Sequence, residues 1–211
     1  MRQLHEAADL VYFDGTPLIF WARLLGMPVS IRNHVTFLDY WKQMFALAEA
    51  SSWRVFYLGG KPGVADRAAK KLATSYPNLM LKYHHGYLAT AADNERVIAQ
   101  IREFQPQFVL VGMGMPIQEE WILRNHRHFS STALIAVGAA FDYLAGELKT
   151  PNRWLKTIGI EWVYRLCCEP RRLSFRYLVE PWFLIPHATR DLMSHGLSLA
   201  SKRPSSSGSA K

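Results

Sequence analysis

The sequence predicts an α/β fold: a mostly parallel, Rossmann-like sheet with helices on both faces, carrying a C-terminal helical appendage. Two observations lead there. Short β-branched or aromatic runs alternate with stretches of helical apolar spacing, the pattern of repeated βα units. The runs are also nearly continuous in apolar residues, as strands buried on both faces require. The 211 residues, 49% of them hydrophobic, suffice for one substantial core. The expected division is an α/β domain over 1–150, an appendage over 151–195 and a low-complexity, disordered tail over 196–211.

In chain order, strands are expected at Leu10–Phe13, Arg54–Leu58, Met80–Tyr83, Phe108–Val111 and Leu134–Val137. Helices are expected at Phe37–Ala50, Val64–Ser75, Ala92–Phe104 and Ile117–Asn125, and after Pro151 and Pro170. Ligands of such sheets bind beyond the carboxyl ends of the strands. That selects five loops: Asp14-Gly15, Gly59 to Gly63, His84 to Tyr87, the Gly112 loop, and Gly138 to Asp142.

The richest of these stretches is FVLVGMGMPIQEEW, Phe108 to Trp121. An apolar strand runs into Gly112-Met113-Gly114, with Pro116 at a helix start and Gln118, Glu119 and Glu120 in the first turn. Glycines admit a ligand to the backbone, and helix-opening N–H groups favour an anion such as a diphosphate. A βα turn that merely needs glycine reads the same way. Ile117 stands where the dinucleotide fingerprint has its third glycine, which argues against NAD. Gly59-Gly60-Lys61 is similar to a phosphate loop, but Pro62 replaces the magnesium-binding Ser or Thr of a Walker site. Asp14, after a strand, suits a general base or a plain turn. Tyr87 suits stacking on a base or packing in a core. Asp142 suits a sugar hydroxyl or a helix cap. Adjacent His84 and His85 project to opposite faces, which is poor geometry for one metal ion.

Charge and composition restrict the partners. Twenty-five basic against seventeen acidic residues give a net charge of +8, pointing to a phosphorylated ligand, an anionic membrane or another polyanion. The two cysteines, Cys167 and Cys168, are neighbours, so neither zinc spacing nor a disulfide framework is present, and a reducing cytoplasm fits. The N-terminus does not read as a signal peptide, and no run approaches the ~20 apolar residues of a membrane span. Between Glu147 and Arg176, Lys149, Arg153, Lys156, Arg165, Arg171, Arg172 and Arg176 interleave with Trp154, Trp162, Tyr164 and Phe175. Leu178–Ile185 follows, with Trp182 and Phe183. Such a segment suits the surface of a membrane, and composition alone leaves a nucleic-acid surface equally open.

Taken together, the motifs resemble the WecG/TagA/CpsF family of bacterial glycosyltransferases. They are DGTP at Asp14, Arg32 before a helix, FYLGGKPGVADRAA from Phe56, HGY at His85, VGMGMPIQEEW from Val111, GAAFDYLAGE from Gly138 and EWVYRLCCEPRRLSFRYL from Glu161. The likeness spans roughly residues 8 to 185, and its specificity lies in the common order of several motifs. It implies an inverting transferase that moves N-acetylmannosamine, its uronic acid or a hexose from a UDP-sugar to a polyprenyl-diphosphate-linked acceptor. That chemistry belongs to surface polysaccharide biosynthesis, on a protein peripheral to the inner face of the cytoplasmic membrane. The resemblance excludes nucleic acid as partner and allows for a homo-oligomer.

Residue by residue, the resemblance makes Asp14 the general base that deprotonates the acceptor hydroxyl. It places Arg32, Gly59, Gly60, Tyr87, Gly112, Gly114, Gln118 and Asp142 around the donor, and Arg165, Arg172 and Arg176 at the acceptor or leaving diphosphate. Guanidinium forks and helix N–H groups would meet the charge developing on departing UDP, so no cofactor and no metal is expected. Two departures stand out. Lys149-Thr150-Pro151 replaces the family's Arg-Ala-Pro, keeping the charge without the bidentate fork. The chain also opens at the helix before Asp14, where relatives carry a further strand and helix, so part of the donor site is expected to be missing. The rival reading is therefore a weakened, truncated relative that acts as a binding component of a polysaccharide assembly complex.

Overall fold

A computed structural model of the chain describes residues 6–11, 16–30, 35–148, 161–168, 170–175 and the single positions 182, 186, 189 and 190. The chain divides into two compact units, Met1–Val11 with Thr36–Thr150 and Tyr12–Val35 with Pro151–Lys211.

In the first unit, four strands form one sheet in the order β2-β1-β3-β4, with every neighbouring pair parallel. The strands are β1 (Arg54–Gly59), β2 (Met80–His84), β3 (Phe108–Gly112) and β4 (Ala133–Ala136). Parallel neighbours need crossovers, and helices supply them. The second unit contributes α1 (Thr16–Leu24), whereas α2 (Phe37–Ala50), α3 (Val64–Ser75), α4 (Ala91–Phe104), α5 (Ile117–Asn125) and α6 (Ala140–Ala145) belong to the first. Helices α7 (Glu161–Cys168) and α8 (Pro170–Ser174) lie in the second unit.

Alternation along the central strands sorts the core into two layers. Val55 and Tyr57 of β1 and Leu110 of β3 join Phe45 of α2, Ala68 and Leu72 of α3 and Phe141 of α6. Phe56, Leu58, Val109 and Val111 point the other way and pack with Val97, Ile98 and Ile101 of α4 and Trp121 of α5. Strands β1 and β3 therefore lie at the centre, buried on both faces, while the edge strand β2 leaves Met80 and Tyr83 exposed. Register fixes where the site falls, because pairing of Gly59 with Gly112 brings the two central strands to an end side by side.

Local chemistry explains the boundaries. Thr90 and Asp93 form a reciprocal capping box at the start of α4, and Thr36 with Asp39 does the same for α2. Gly146, at φ 85°, closes α6 in the left-handed conformation. A polar clamp ties α4 to α5: Trp121 Nε1 donates to Asn94 Oδ1 at 2.7 Å, Asn94 Nδ2 to Asn125 Oδ1 at 3.2 Å, and Asn125 Nδ2 to the Trp121 carbonyl at 2.8 Å.

The four strands of the sheet and the four long helices of the first unit match expectation to within a residue or two. The expected strand Leu10–Phe13 does not form at its first half: Leu10 and Val11 have no regular structure and are exposed. Apolar character favours a strand only where a packed surface receives it, and Leu10 and Val11 are both exposed. Tyr12 and Phe13 lie outside the described residues, as do the tail and the segment directly after Pro151. Helix α1 is an addition: Thr16-Pro17 opens it, and Ile19 and Ala22 are its buried residues. Among the described residues, no helix is long and apolar enough to cross a membrane.

Candidate active site

At the carboxyl edge of the sheet the loops after the strands are stitched together by backbone. The Gly60 N–H donates to the Gly112 carbonyl at 3.1 Å, the Gly86 N–H to the Gly60 carbonyl at 3.1 Å, and the Val137 N–H to the Val111 carbonyl at 2.9 Å. The glycines of this edge fall into two kinds. A Cβ at Gly59 would stand 2.3 Å from the Gly112 carbonyl oxygen, and one at Gly112 would stand 2.7 Å from both the Gly138 carbonyl oxygen and the Tyr57 hydroxyl. These form a floor in which only hydrogen fits. Gly114 and Gly138, at φ of 80° and 54°, would carry a Cβ with nothing within 4 Å, so they border open space.

Beneath the floor lies Tyr57, fully buried, its ring stacked on Phe141 at 3.5 Å between centroids and 5° between planes. Burial pushes its phenol far above the ordinary tyrosine value, and the nearby charge of Asp142 pushes in the same direction. Asp142 itself sits in the first turn of α6, and its carbonyl accepts the N–H groups of Glu147 and Leu148 at 2.9 and 3.3 Å. Tyr87, just past β2, is largely exposed at the rim.

Helix α5 brings the polar side chains. Gln118 and Glu119 are both buried, at 5% and 7% exposure. Gln118 Oε1 accepts the Gly138 N–H at 3.1 Å, and its Nε2 donates to Glu119 Oε1 at 2.8 Å. This side chain therefore bridges the Gly112 loop's helix to the Gly138 loop. The Gln118 backbone N–H is taken by the Gly114 carbonyl at 3.0 Å, so it is not among the helix-opening N–H groups left for an anion.

Buried polar atoms in folded proteins are nearly always hydrogen-bonded, so exceptions carry information. Three buried side-chain atoms have no partner among the described residues: the Tyr57 hydroxyl, His85 Nδ1 and Glu119 Oε2. All three belong to the carboxyl edge of the sheet. Tyr57 abuts the glycine floor, His85 directly follows β2, and Glu119 is in the first turn after the β3 loop. Neither Tyr57 nor Glu119 is a candidate for ligand contact in the sequence, and His85, inside the selected loop His84 to Tyr87, reads there only as poor metal geometry. A tyrosine inside an apolar strand reads as core, and a glutamate in a helix's first turn reads as a dipole partner in solvent. The available signal for Glu119 was its place beside Gln118 and two residues before Trp121.

His84 and His85 lie ring against ring, 4.3 Å between centroids, with His84 Nδ1 2.7 Å from the His85 carbonyl. Among the described residues, no group of three or more His, Cys, Asp or Glu side chains is arranged to hold a metal ion. Of the sequence-derived candidates, Gly59, Gly60, Gly112, Gly114, Gln118, Tyr87 and Asp142 are described, and the glycines with Gln118 are brought together at this edge. Asp14, Arg32 and Arg176 lie outside the described residues, and Arg165 and Arg172 are described only as backbone positions in α7 and α8.

A four-stranded parallel sheet flanked by helices makes this an α/β protein. The chain belongs to the glycosyl transferase WecG/TagA/CpsF family, whose sequence model matches residues 1–197. Similar proteins include the N-acetylglucosaminyldiphosphoundecaprenol N-acetyl-beta-D-mannosaminyltransferases of two Staphylococcus aureus strains, NCTC 8325 / PS 47 and COL. Each is 30% identical over 172 residues, covering 82% of this chain and 66% of the relative. The match thus spans just under two thirds of these relatives' length.

Proposed function

We propose that the protein transfers a sugar, N-acetylmannosamine, its uronic acid or a hexose, from a UDP-sugar to a polyprenyl-diphosphate-linked acceptor, with inversion at the anomeric carbon. The observation that carries the reading is the carboxyl edge itself: open-faced Gly114 and Gly138 beside a buried Gln118–Glu119 pair and three unpartnered polar atoms. Membership of the family and the relatives' activity on an undecaprenyl-diphosphate-linked acceptor support it.

In this reading the donor diphosphate lies along the Gly112–Gly114 backbone at the start of α5, where N–H groups and the helix dipole favour negative charge. Tyr87 stacks on the base, Asp142 and Gln118 bind hydroxyl or amide groups of the donor, and Arg32 approaches the diphosphate. Asp14 removes the proton of the acceptor hydroxyl as its oxygen attacks the anomeric carbon from the face opposite UDP. As the glycosidic bond to UDP breaks, negative charge grows on the leaving phosphate. Arg165, Arg172 and Arg176 meet that charge or hold the acceptor diphosphate. With these cations present, a divalent metal is dispensable. The work takes place at the inner face of the cytoplasmic membrane, where the basic, aromatic C-terminal segment makes peripheral contact.

The test is turnover of UDP-N-acetylmannosamine with a short-chain prenyl-diphosphate N-acetylglucosamine, followed by mass spectrometry, with and without EDTA. The expected result is a disaccharide-diphosphate lipid formed at equal rate in both. Binding of UDP without any product identifies a binding component and overturns the transferase reading. Loss of activity in EDTA that magnesium restores overturns the metal-free step.

A further inference from the structure

We propose that Glu119 is a positioning residue: its carboxylate, together with the Gly138 N–H, holds the Gln118 side-chain amide in one orientation and so decides which group Gln118 offers to the donor. The proposal rests on the transferase reading for its consequence in turnover, and on hydrogen bonding alone for the anchoring.

The two ends of a glutamine amide are nearly equal in size, so its orientation is set by partners. Here both partners are of fixed polarity. A backbone N–H only donates, so the atom against Gly138 is Oε1, 3.1 Å away. The Glu119 Oε1 accepts, so the atom against it is Nε2, 2.8 Å away. Each constraint selects the same orientation. What remains uncommitted is one Nε2 hydrogen, a donor suited to an oxygen of a sugar or phosphate, and one lone pair on Oε1. With Glu119 gone, the amide hangs from Gly138 by a single bond and swings about it.

Stability gives no reason for a glutamate at this position. Glu119 is 7% exposed and its Oε2 has no partner among the described residues, an arrangement that costs free energy where an apolar side chain of similar length would not. Residues that a fold retains against its own stability are characteristic of functional sites.

Three variants test this. Glu119→Met removes the acceptor while preserving length. Its turnover should fall about 10²-fold, the scale of a misplacement near 1 Å, without a matching drop in melting temperature. Glu119→Gln can still accept the Gln118 hydrogen through its carbonyl oxygen and should retain most of the turnover. The exchange Gln118→Glu with Glu119→Gln keeps both hydrogen bonds with the inner one reversed, but leaves position 118 no spare hydrogen; it should be as impaired as Gln118→Ala. A fully active exchange variant overturns the proposal, as does a Glu119→Met protein whose activity and melting temperature fall together. Hydrogen exchange at the Gly138 amide separates the anchoring from the transferase reading. It should quicken in Glu119→Met and match wild type in Glu119→Gln even if no UDP-sugar is turned over; unchanged exchange in Glu119→Met refutes the anchoring.

Discussion

The two kinds of glycine at the carboxyl edge predict opposite phenotypes for the same substitution. In Gly59→Ala the new methyl meets the Gly112 carbonyl oxygen at 2.3 Å, its carbon at 2.5 Å and the Tyr57 hydroxyl at 2.7 Å. None of these can yield cheaply. Gly112 is the register partner of Gly59 in the sheet, and Tyr57 is pinned against Phe141. The cost is therefore steric, at the upper end of core overpacking, about 3 kcal/mol. For a chain of this size each kcal/mol lowers the melting temperature by about 2–4 °C, so Gly59→Ala should melt roughly 6–12 °C below wild type. In Gly114→Ala the methyl meets nothing within 4 Å, and the cost is only that of a φ of 80°. That is about 1–2 kcal/mol, or roughly 2–8 °C, but the methyl enters the space assigned to the diphosphate. Thermal unfolding followed by circular dichroism, with and without saturating UDP, reads both effects. Gly59→Ala should retain the UDP-induced rise in melting temperature and Gly114→Ala should lose it. Equal melting of Gly59→Ala and wild type, or a normal UDP shift in Gly114→Ala, refutes the division.

Asp14→Asn should lower turnover by roughly 10² to 10⁴ with donor affinity nearly unchanged, as measured by steady-state kinetics and UDP calorimetry. Ending the chain at Leu173 should leave a folded, UDP-binding protein that no longer sediments with anionic vesicles at low salt; equal sedimentation of both chains rules out the membrane role of the segment beyond. At the α4 cap, the Thr90 hydroxyl and backbone N–H hold the Asp93 carboxyl below its ordinary value. A depressed carboxyl stabilises above its unfolded pKa and loses that contribution as pH falls through the folded value. Thr90→Ala should therefore melt lower than wild type at neutral pH, with the gap narrowing in acid below the ordinary aspartate range.

Much of the fold was legible because periodicity and burial coincide in the first unit. Strands β1 and β3 are buried on both faces and read as unbroken apolar runs, and α3 and α4 have apolar stripes facing the sheet. The failures came where one of those conditions lapsed. Leu10 and Val11 have strand chemistry with nothing to pack on. In α6, the six residues from Ala140 to Ala145 are too few to show a helical period, so the sequence shows only a loop from Gly138 to Asp142, with a helix cap at Asp142 as the alternative, although the helix supplies Phe141 to the core. Helix α1 was hidden by Asp-Gly-Thr-Pro, which signals a turn as strongly as a helix start.

The candidate site was legible only as far as backbone chemistry reaches. Glycines that follow strands announce themselves, and Gln118 stood out as the polar residue after a helix-opening proline. What no spacing rule reveals is which glycine packs and which faces space, since Gly112 and Gly114 are two residues apart and identical in composition. The difference arises from Tyr57 and Gly138, 55 residues before Gly112 and 26 after it, meeting at one point because β1 and β4 flank β3. The same holds for Glu119: a carboxylate in a helix's first turn stabilises when solvated, and only the loop after β4, arriving to donate the Gly138 N–H to Gln118, marks this one as buried and half-partnered. Polar groups acquire functional meaning from what tertiary structure fails to give them, and the unpartnered atoms of Tyr57, His85 and Glu119 single out the carboxyl edge in this way.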